Sequence, residues 1–133
     1  MTEKKGVVYY NDSKGTNPDA AIKGIQAMNR PTLLIGGGYD KQSGYDEWIE
    51  AFDGKVRYLV LIGQTRDKIA ECAKAHGFYD IMYAEDMSEA VRVCASYANM
   101  GDNVLLSPAC ASWGMFKNYE ERGRIFKECV RSL

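Results

Sequence analysis

Residues 58–63, Tyr-Leu-Val-Leu-Ile-Gly, and residues 104–107, Val-Leu-Leu-Ser, decide the fold. Both runs are apolar without the strict alternation of a half-exposed strand. Such runs fit strands covered on both faces, as in a parallel sheet flanked by helices. Working outward, Asp53-Gly54 turns the chain into a strand over 56–62, and residues 65–76 predict a helix stopped by Gly77 at C′. A shorter strand over 80–84 follows. Asp86 or Ser88 caps a helix running to about Met100, and Gly101-Asp102 turns into the strand 103–107. Upstream, Val7–Tyr10 is a β-branched and aromatic strand signal, and Asn17-Pro18 opens a helix whose apolar face is Ala20, Ile22, Ile25 and Met28. After the break at 29–31 come a strand over 32–35, a glycine-rich loop over 36–44 and a short helix over 45–52. A last helix covers about 119–131. Glu3–Val8 reads as half of a hairpin whose first arm is missing.

Five β-then-α units in succession predict an α/β, Rossmann-like three-layer domain. Its sheet is mainly parallel, with five to six strands and helices on both faces. The 133 residues fit a single domain spanning 1–133 and suffice for a core without disulfides or metal. Hydrophobic residues make up 46% and charged residues 26%, which excludes disorder. A net charge of -1 offers no basic stripe, so nucleic acid is not an expected partner. No apolar run is long enough for membrane insertion, and Met1–Lys5 shows no signal peptide. Cys72, Cys94, Cys110 and Cys129 include no C-x-x-C pair, so they read as reduced, mostly packed thiols. With a single histidine and no thiol cluster, no metal site is expected.

In an open α/β sheet, ligands bind outside the carboxyl ends of the strands. The connections that enter strands, NRP, DG, HGFYD and NMGD, are generic turn chemistry. The connections that leave strands differ: 11–17 (NDSKGTN), 36–44 (GGGYDKQSG), 63–65 (GQT) and 107–113 (SPACASW) carry lysines, hydroxyls and glycines. Lys14 and Lys41 suit carboxylate or phosphate, Ser13, Thr16 and Ser112 offer hydroxyl donors, and Gly36–Gly38 allow close backbone approach. Taken singly, the lysines read as solvated, the glycines as a turn, Asp12 as an Asx turn and Trp113 as partly buried core. Their convergence on one edge predicts an anion site whose ligand the residues alone leave open. No Walker phosphate loop and no G-x-G-x-x-G is present. His76 reads as a helix-end residue. Cys110 has no histidine in a neighbouring loop to activate it.

Three segments carry a resemblance: YYNDSKGTNPDA (9–20), LLIGGGYDKQSGYDEW (33–48) and VLLSPACASWGMFKNYEERGRIF (104–126). In this order and spacing, from Gly6 onward, they resemble the carboxy-terminal domain of the Mur ligase family. Within it they look most like the member that adds D-glutamate to UDP-N-acetylmuramoyl-L-alanine in peptidoglycan synthesis. The resemblance implies an ATP-dependent ligase of the bacterial cytoplasm. An acyl phosphate forms on the UDP-sugar substrate, the D-glutamate amine attacks it, and phosphate leaves. The UDP-sugar and the phosphate loop would belong to amino-terminal and central domains outside this chain, so the fragment alone is expected to be inactive. ATP and Mg2+ would serve the full-length enzyme, with Mg2+ ligands mainly outside this chain.

Carried over by position, the resemblance implies that Asp12 and Lys14 face the nucleotide, Lys14 lying near the reacting groups. It implies that Thr16, Lys41, Ser112, Trp113 and Tyr119 hold D-glutamate. Gly114 stands where an acidic residue is usual, Gly15 replaces an alanine, and Tyr119 replaces a phenylalanine. The alternatives are another Mur or folylpolyglutamate-type ligase, against which the loop SPACAS argues, and a stand-alone anion-binding module without catalysis.

Overall fold

The computed structural model describes residues 2–133. A six-stranded sheet runs in the order β1-β2-β6-β3-β4-β5. Its strands are β1 (Thr2–Lys4), β2 (Val7–Asn11), β3 (Thr32–Gly36), β4 (Val56–Leu61), β5 (Ile81–Tyr83) and β6 (Asn103–Leu106). All pairings are parallel except β1 with β2. The helices are α1 (Pro18–Gln26), α2 (Asp46–Glu50), α3 (Arg66–Ala75), α4 (Met87–Tyr97) and α5 (Tyr119–Arg131).

The first hairpin corrects the sequence reading. Its first arm is present as Thr2–Lys4, paired from Thr2↔Tyr9 to Lys4↔Val7. Lys5 and Gly6 turn it with φ of 53° and 79°, the double positive φ that two-residue hairpins favour. The polar, mostly exposed TEK of the first arm gives no strand signal; pairing with β2 creates it.

Alternation along the central strands builds the two outer layers. Leu34, Leu59, Leu61 and Leu105 face α1, α2 and α3, where Ile25, Trp48 and Ile69 cover them. Leu33, Ile35, Val60, Ile62, Val104 and Leu106 face the other way, onto Met87 and Val91 of α4 and Phe126 of α5. Nearly all of these side chains are fully buried, as the unbroken apolar runs require. Asn17, Asp86 and Asn118 cap α1, α4 and α5 through side-chain bonds to Ala20, Glu89 and Glu121 N–H. For α4 the cap is therefore Asp86 rather than Ser88. Glu89 returns a bond to Glu85 N–H and Glu121 one to Lys117 N–H, so both helices start from reciprocal caps. All four cysteines are free thiols. Among the described residues, no helix is long and apolar enough to cross a membrane.

Candidate functional site

Strand order places the loop that follows β6 between the loops that follow β2 and β3. Backbone bonds stitch the three together. Ala109 N–H donates to Gly15 C=O at 2.9 Å, Gly37 N–H to Pro108 C=O at 2.9 Å, and Tyr39 N–H to Ala111 C=O at 3.0 Å. The loop after β4 joins through Gly38 N–H, which donates to Thr65 Oγ1 at 3.0 Å. Such approach requires glycine at 37: its φ is +100°, and a Cβ would stand 2.1 Å from the Ile62 carbonyl oxygen.

A buried arginine locks the same loops from behind. Arg122 on α5 is 1% exposed. Its Nε donates to Ser13 Oγ at 2.8 Å, Nη2 to Ser13 C=O at 2.6 Å, and Nη1 to Cys110 C=O at 2.9 Å. Burial lowers its pKa to about 10, so it remains a cation at neutral pH. Ser13 Oγ in turn donates to Tyr119 C=O at 2.6 Å, tying the start of α5 to the β2 loop. Asp12 does not form the Asx turn; Asn11 does, accepting from Ser13 N–H at 3.0 Å. Asp12 instead accepts from Ser107 Oγ at 2.8 Å, and burial raises its pKa. Cys110 is packed against Tyr45 Oη at 3.3 Å and Thr65 Oγ1 at 3.5 Å, and burial raises its thiol too. The sequence reading of a packed, unactivated thiol agrees with this geometry.

The remaining anticipated residues fall into two groups. Lys14 and Asp12 line a cavity of about 730 Å³ that also receives Lys23 and Lys127. Lys14 and Lys127 continue into a neighbouring hollow of about 480 Å³ with Tyr119, Arg124 and Arg131. Lys41 lies apart, its Nζ 6.0 Å from the Trp113 ring centroid, at the edge of cation–π range. Trp113 packs edge-on against Tyr39 at 5.4 Å, and both line a cavity of about 330 Å³ with Gln64. Tyr119 therefore sits beside Lys14 rather than beside Trp113. Thr16 and Ser112 line none of these three cavities. Thr16 is half-buried, and Ser112 is buried, its carbonyl accepting from Phe116 N–H at 3.0 Å. Among the described residues, Lys14 and Lys41 make no salt bridge. The carboxylates here are engaged: Asp12 by Ser107, and Asp40 by Lys68 at 3.2 Å.

Residues 1–110 match the family described as Mur ligase, glutamate ligase domain. The chain belongs to the Mur ligase family. It is 65% identical over all 133 residues to the UDP-N-acetylmuramoylalanine–D-glutamate ligase of Lachnoclostridium phytofermentans. The chain spans 29% of that relative's length. Among solved structures it resembles UDP-N-acetylmuramate–alanine ligase MurC of Thermotoga maritima (TM-score 0.61, 14% identity, 99% of this chain and 29% of that one). It likewise resembles the MurF ligase of the same organism in complex with ADP (TM-score 0.57, 19% identity, 99% of this chain and 31% of that one).

The Mur ligase domain also contains site residues that the sequence reading passed over. Arg122 is the main one. A signal was present: Arg122, Phe126 and Val130 recur every four residues, placing the arginine on the buried face of α5. Gly123 lets that face approach β2, since a Cβ there would stand 2.8 Å from Asn11 Nδ2. Gly114 has φ +89° with open space around it, and α5 is capped at Asn118 independently of it. Its departure from an acidic residue thus leaves the helix start intact.

Proposed function

We propose that this chain is the carboxy-terminal domain of the ATP-dependent ligase that joins D-glutamate to UDP-N-acetylmuramoyl-L-alanine, working in the bacterial cytoplasm. The observation that carries the reading is 65% identity over the whole chain to a ligase of that name, together with coverage of only 29% of it. Amino-terminal and central domains then supply the UDP-sugar site, the phosphate loop and most of the Mg2+ ligands. The chemistry of the carboxyl edge supports the assignment. D-glutamate carries two carboxylates, and the edge presents the ammonium groups of Lys14 and Lys41, which make no salt bridge among the described residues, on loops bonded to one another beneath them.

In this reading Asp12 and Lys14 face ATP, and Lys14 offsets charge that builds as the acyl phosphate forms and the amine attacks. Lys41, beside Trp113, takes a carboxylate of D-glutamate, and Thr16, Ser112 and Tyr119 are assigned to the same ligand by their position in the family motifs rather than by a shared cavity. The domain acts by positioning: it carries the amine to the acyl phosphate and fixes its approach.

Lys41→Ala in the full-length enzyme tests the assignment. Losing a charged hydrogen bond worth about 1.5–3 kcal/mol should raise the KM for D-glutamate about 10- to 100-fold. The KM for the UDP-substrate should stay within about twofold, as it must when binding to a separate group is lost. An unaltered D-glutamate dependence would sink the role given to Lys41.

A further inference from the structure

Away from the carboxyl-edge loops, one cluster joins metal-ligating side chains from two elements. Cys72 in α3 and His76 at its C-cap are four residues apart, so they share one helix face. Asp46, the first residue of α2, meets them there. His76 Nε2 lies 2.8 Å from Asp46 Oδ1, and Cys72 Sγ lies 3.5 Å from the same oxygen. One ligand atom from each residue falls within a 4.8 Å span. A tetrahedral zinc with bonds of about 2.0–2.3 Å sets its ligand atoms about 3.3–3.8 Å apart, so shifts of about 1 Å complete the geometry.

The donor set is selective. A thiolate, an imidazole and a carboxylate suit a borderline-soft divalent ion, whereas Mg2+ and Ca2+ take oxygen. The side chains of Asp46 and His76 are 71% and 27% exposed, so a hydrated ion can reach them. A surface ion pair alone would account for Asp46 and His76. It would leave the convergence of the Cys72 thiol on the same oxygen without a role.

We propose that Asp46, Cys72 and His76 form a site for a zinc-class divalent ion that clamps α2, the helix after the Lys41 loop, to α3. Binding converts Cys72–SH and M2+ to a Cys72–S–M bond and one released proton. A cysteine thiol keeps its proton at neutral pH, and metal binding requires the thiolate, so that proton must leave. Sequence spacing alone shows only C-x-x-x-H; the fold adds the carboxylate.

The test uses the 133-residue chain, which closes its own core on both faces of the sheet. Co2+ serves as an optical probe. The expected result is one equivalent bound, with a thiolate-to-cobalt charge-transfer band that Zn2+ displaces. Calorimetry in two buffers of different ionisation enthalpy should show about one proton released per ion. Cys72→Ser should abolish the band. His76→Ala, which removes the only histidine, should weaken binding at least about tenfold, the cost of losing even an outer-sphere partner. Cys129→Ser, at the other half-exposed thiol, should leave the titration unchanged. Circular dichroism confirms that the variants fold. Absence of the band in the wild type, or a band that survives Cys72→Ser or affinity that survives His76→Ala, overturns the proposal.

Discussion

The two edges of the sheet are built differently. At the amino edge the bonds are mainly backbone to backbone: Lys55 N–H donates to Phe52 C=O and Gly77 N–H to Lys74 C=O within turns, and Gly101 N–H to Gly6 C=O and Thr32 N–H to Lys55 C=O between them. At the carboxyl edge the bonds are long-range, joining Ser13 to Arg122, Asp12 to Ser107, and Gly38 to Thr65. The side-chain bonds of the carboxyl edge fix several loops against one another while, among the described residues, the heads of Lys14 and Lys41 make no salt bridge. The difference separates an edge that ends strands from one that holds side chains ready for a ligand.

The largest effect expected from breaking that contrast is at Arg122. Arg122→Met keeps bulk but removes three donors from Ser13 and Cys110. Arg122→Met leaves buried acceptors without their donor, which costs about 1–3 kcal/mol for each group left unsatisfied. Urea unfolding of the chain should show a midpoint shift of that size at unchanged slope. A loss below about 1 kcal/mol, the worth of one ordinary hydrogen bond, would mean the loops are held by something else.

Gly37 and Gly54 set the edges side by side, since both have positive φ. Gly54 has open space where a Cβ would go, whereas Gly37 faces the Ile62 carbonyl. Gly54→Ala should cost about 1 kcal/mol, the penalty of a left-handed alanine alone. Gly37→Ala should cost about 3 kcal/mol or more, because strain is joined by a backbone clash that cannot relax cheaply. Equal midpoints in urea for the two variants would contradict the close approach of the loops.

The same contrast explains what could be read from the sequence. The three layers and the parallel order were legible because apolar runs such as 58–62 and helix starts such as Asn17-Pro18 are local signals. The convergence of the strand-exit loops followed from one topological rule. Yet Arg122 and Ser107 could not be assigned partners, because Ser13 and Asp12 lie 109 and 95 residues away in sequence. The β1 arm was missed for the same reason: TEK becomes a strand only by pairing with β2. Whether Tyr119 neighbours Lys14 or Trp113 depends on where α5 docks, and no local pattern encodes that.

Alkaline pH should weaken the fold in part through the carboxyl edge. Burial raises the Cys110 thiol above its unfolded value, with Tyr45 and Thr65 bonds acting weakly against it. A group whose folded pKa is raised gives its full stability below the unfolded pKa, near 9, and loses it as pH rises further. The loss approaches about 1.4 kcal/mol per pH unit for one group. Urea midpoints between pH 7.5 and 10 should fall, and Cys110→Ala should flatten part of that fall. The Cys94, Cys72 and Cys129 thiols are raised by burial as well and contribute a remaining slope. If Cys110→Ala leaves the slope intact, the thiol beneath the glycine loop is not held dry.

The smallest effect expected is at the amino edge, where Arg57 is the counterpart of Arg122. Arg57 Nη1 donates to Asp102 Oδ2, which also accepts from Asn99 N–H at 2.8 Å. Its side chain is 30% exposed, against 7% for Asp102. Solvent can therefore replace the guanidinium, and Asp102 keeps its backbone donor. Arg57→Met should cost about 1 kcal/mol or less, as partly exposed ion pairs do, and the cost should shrink in added salt. Under the proposed function, the D-glutamate dependence of the full-length enzyme should not move, because no carboxyl-edge loop loses a bond. The two arginines thus share a chemistry and differ in burial and in what they join. If Arg57→Met matched Arg122→Met in cost and salt insensitivity, both edges would be held by buried charge, and the carboxyl edge would lose its claim to be built for a ligand on this ground.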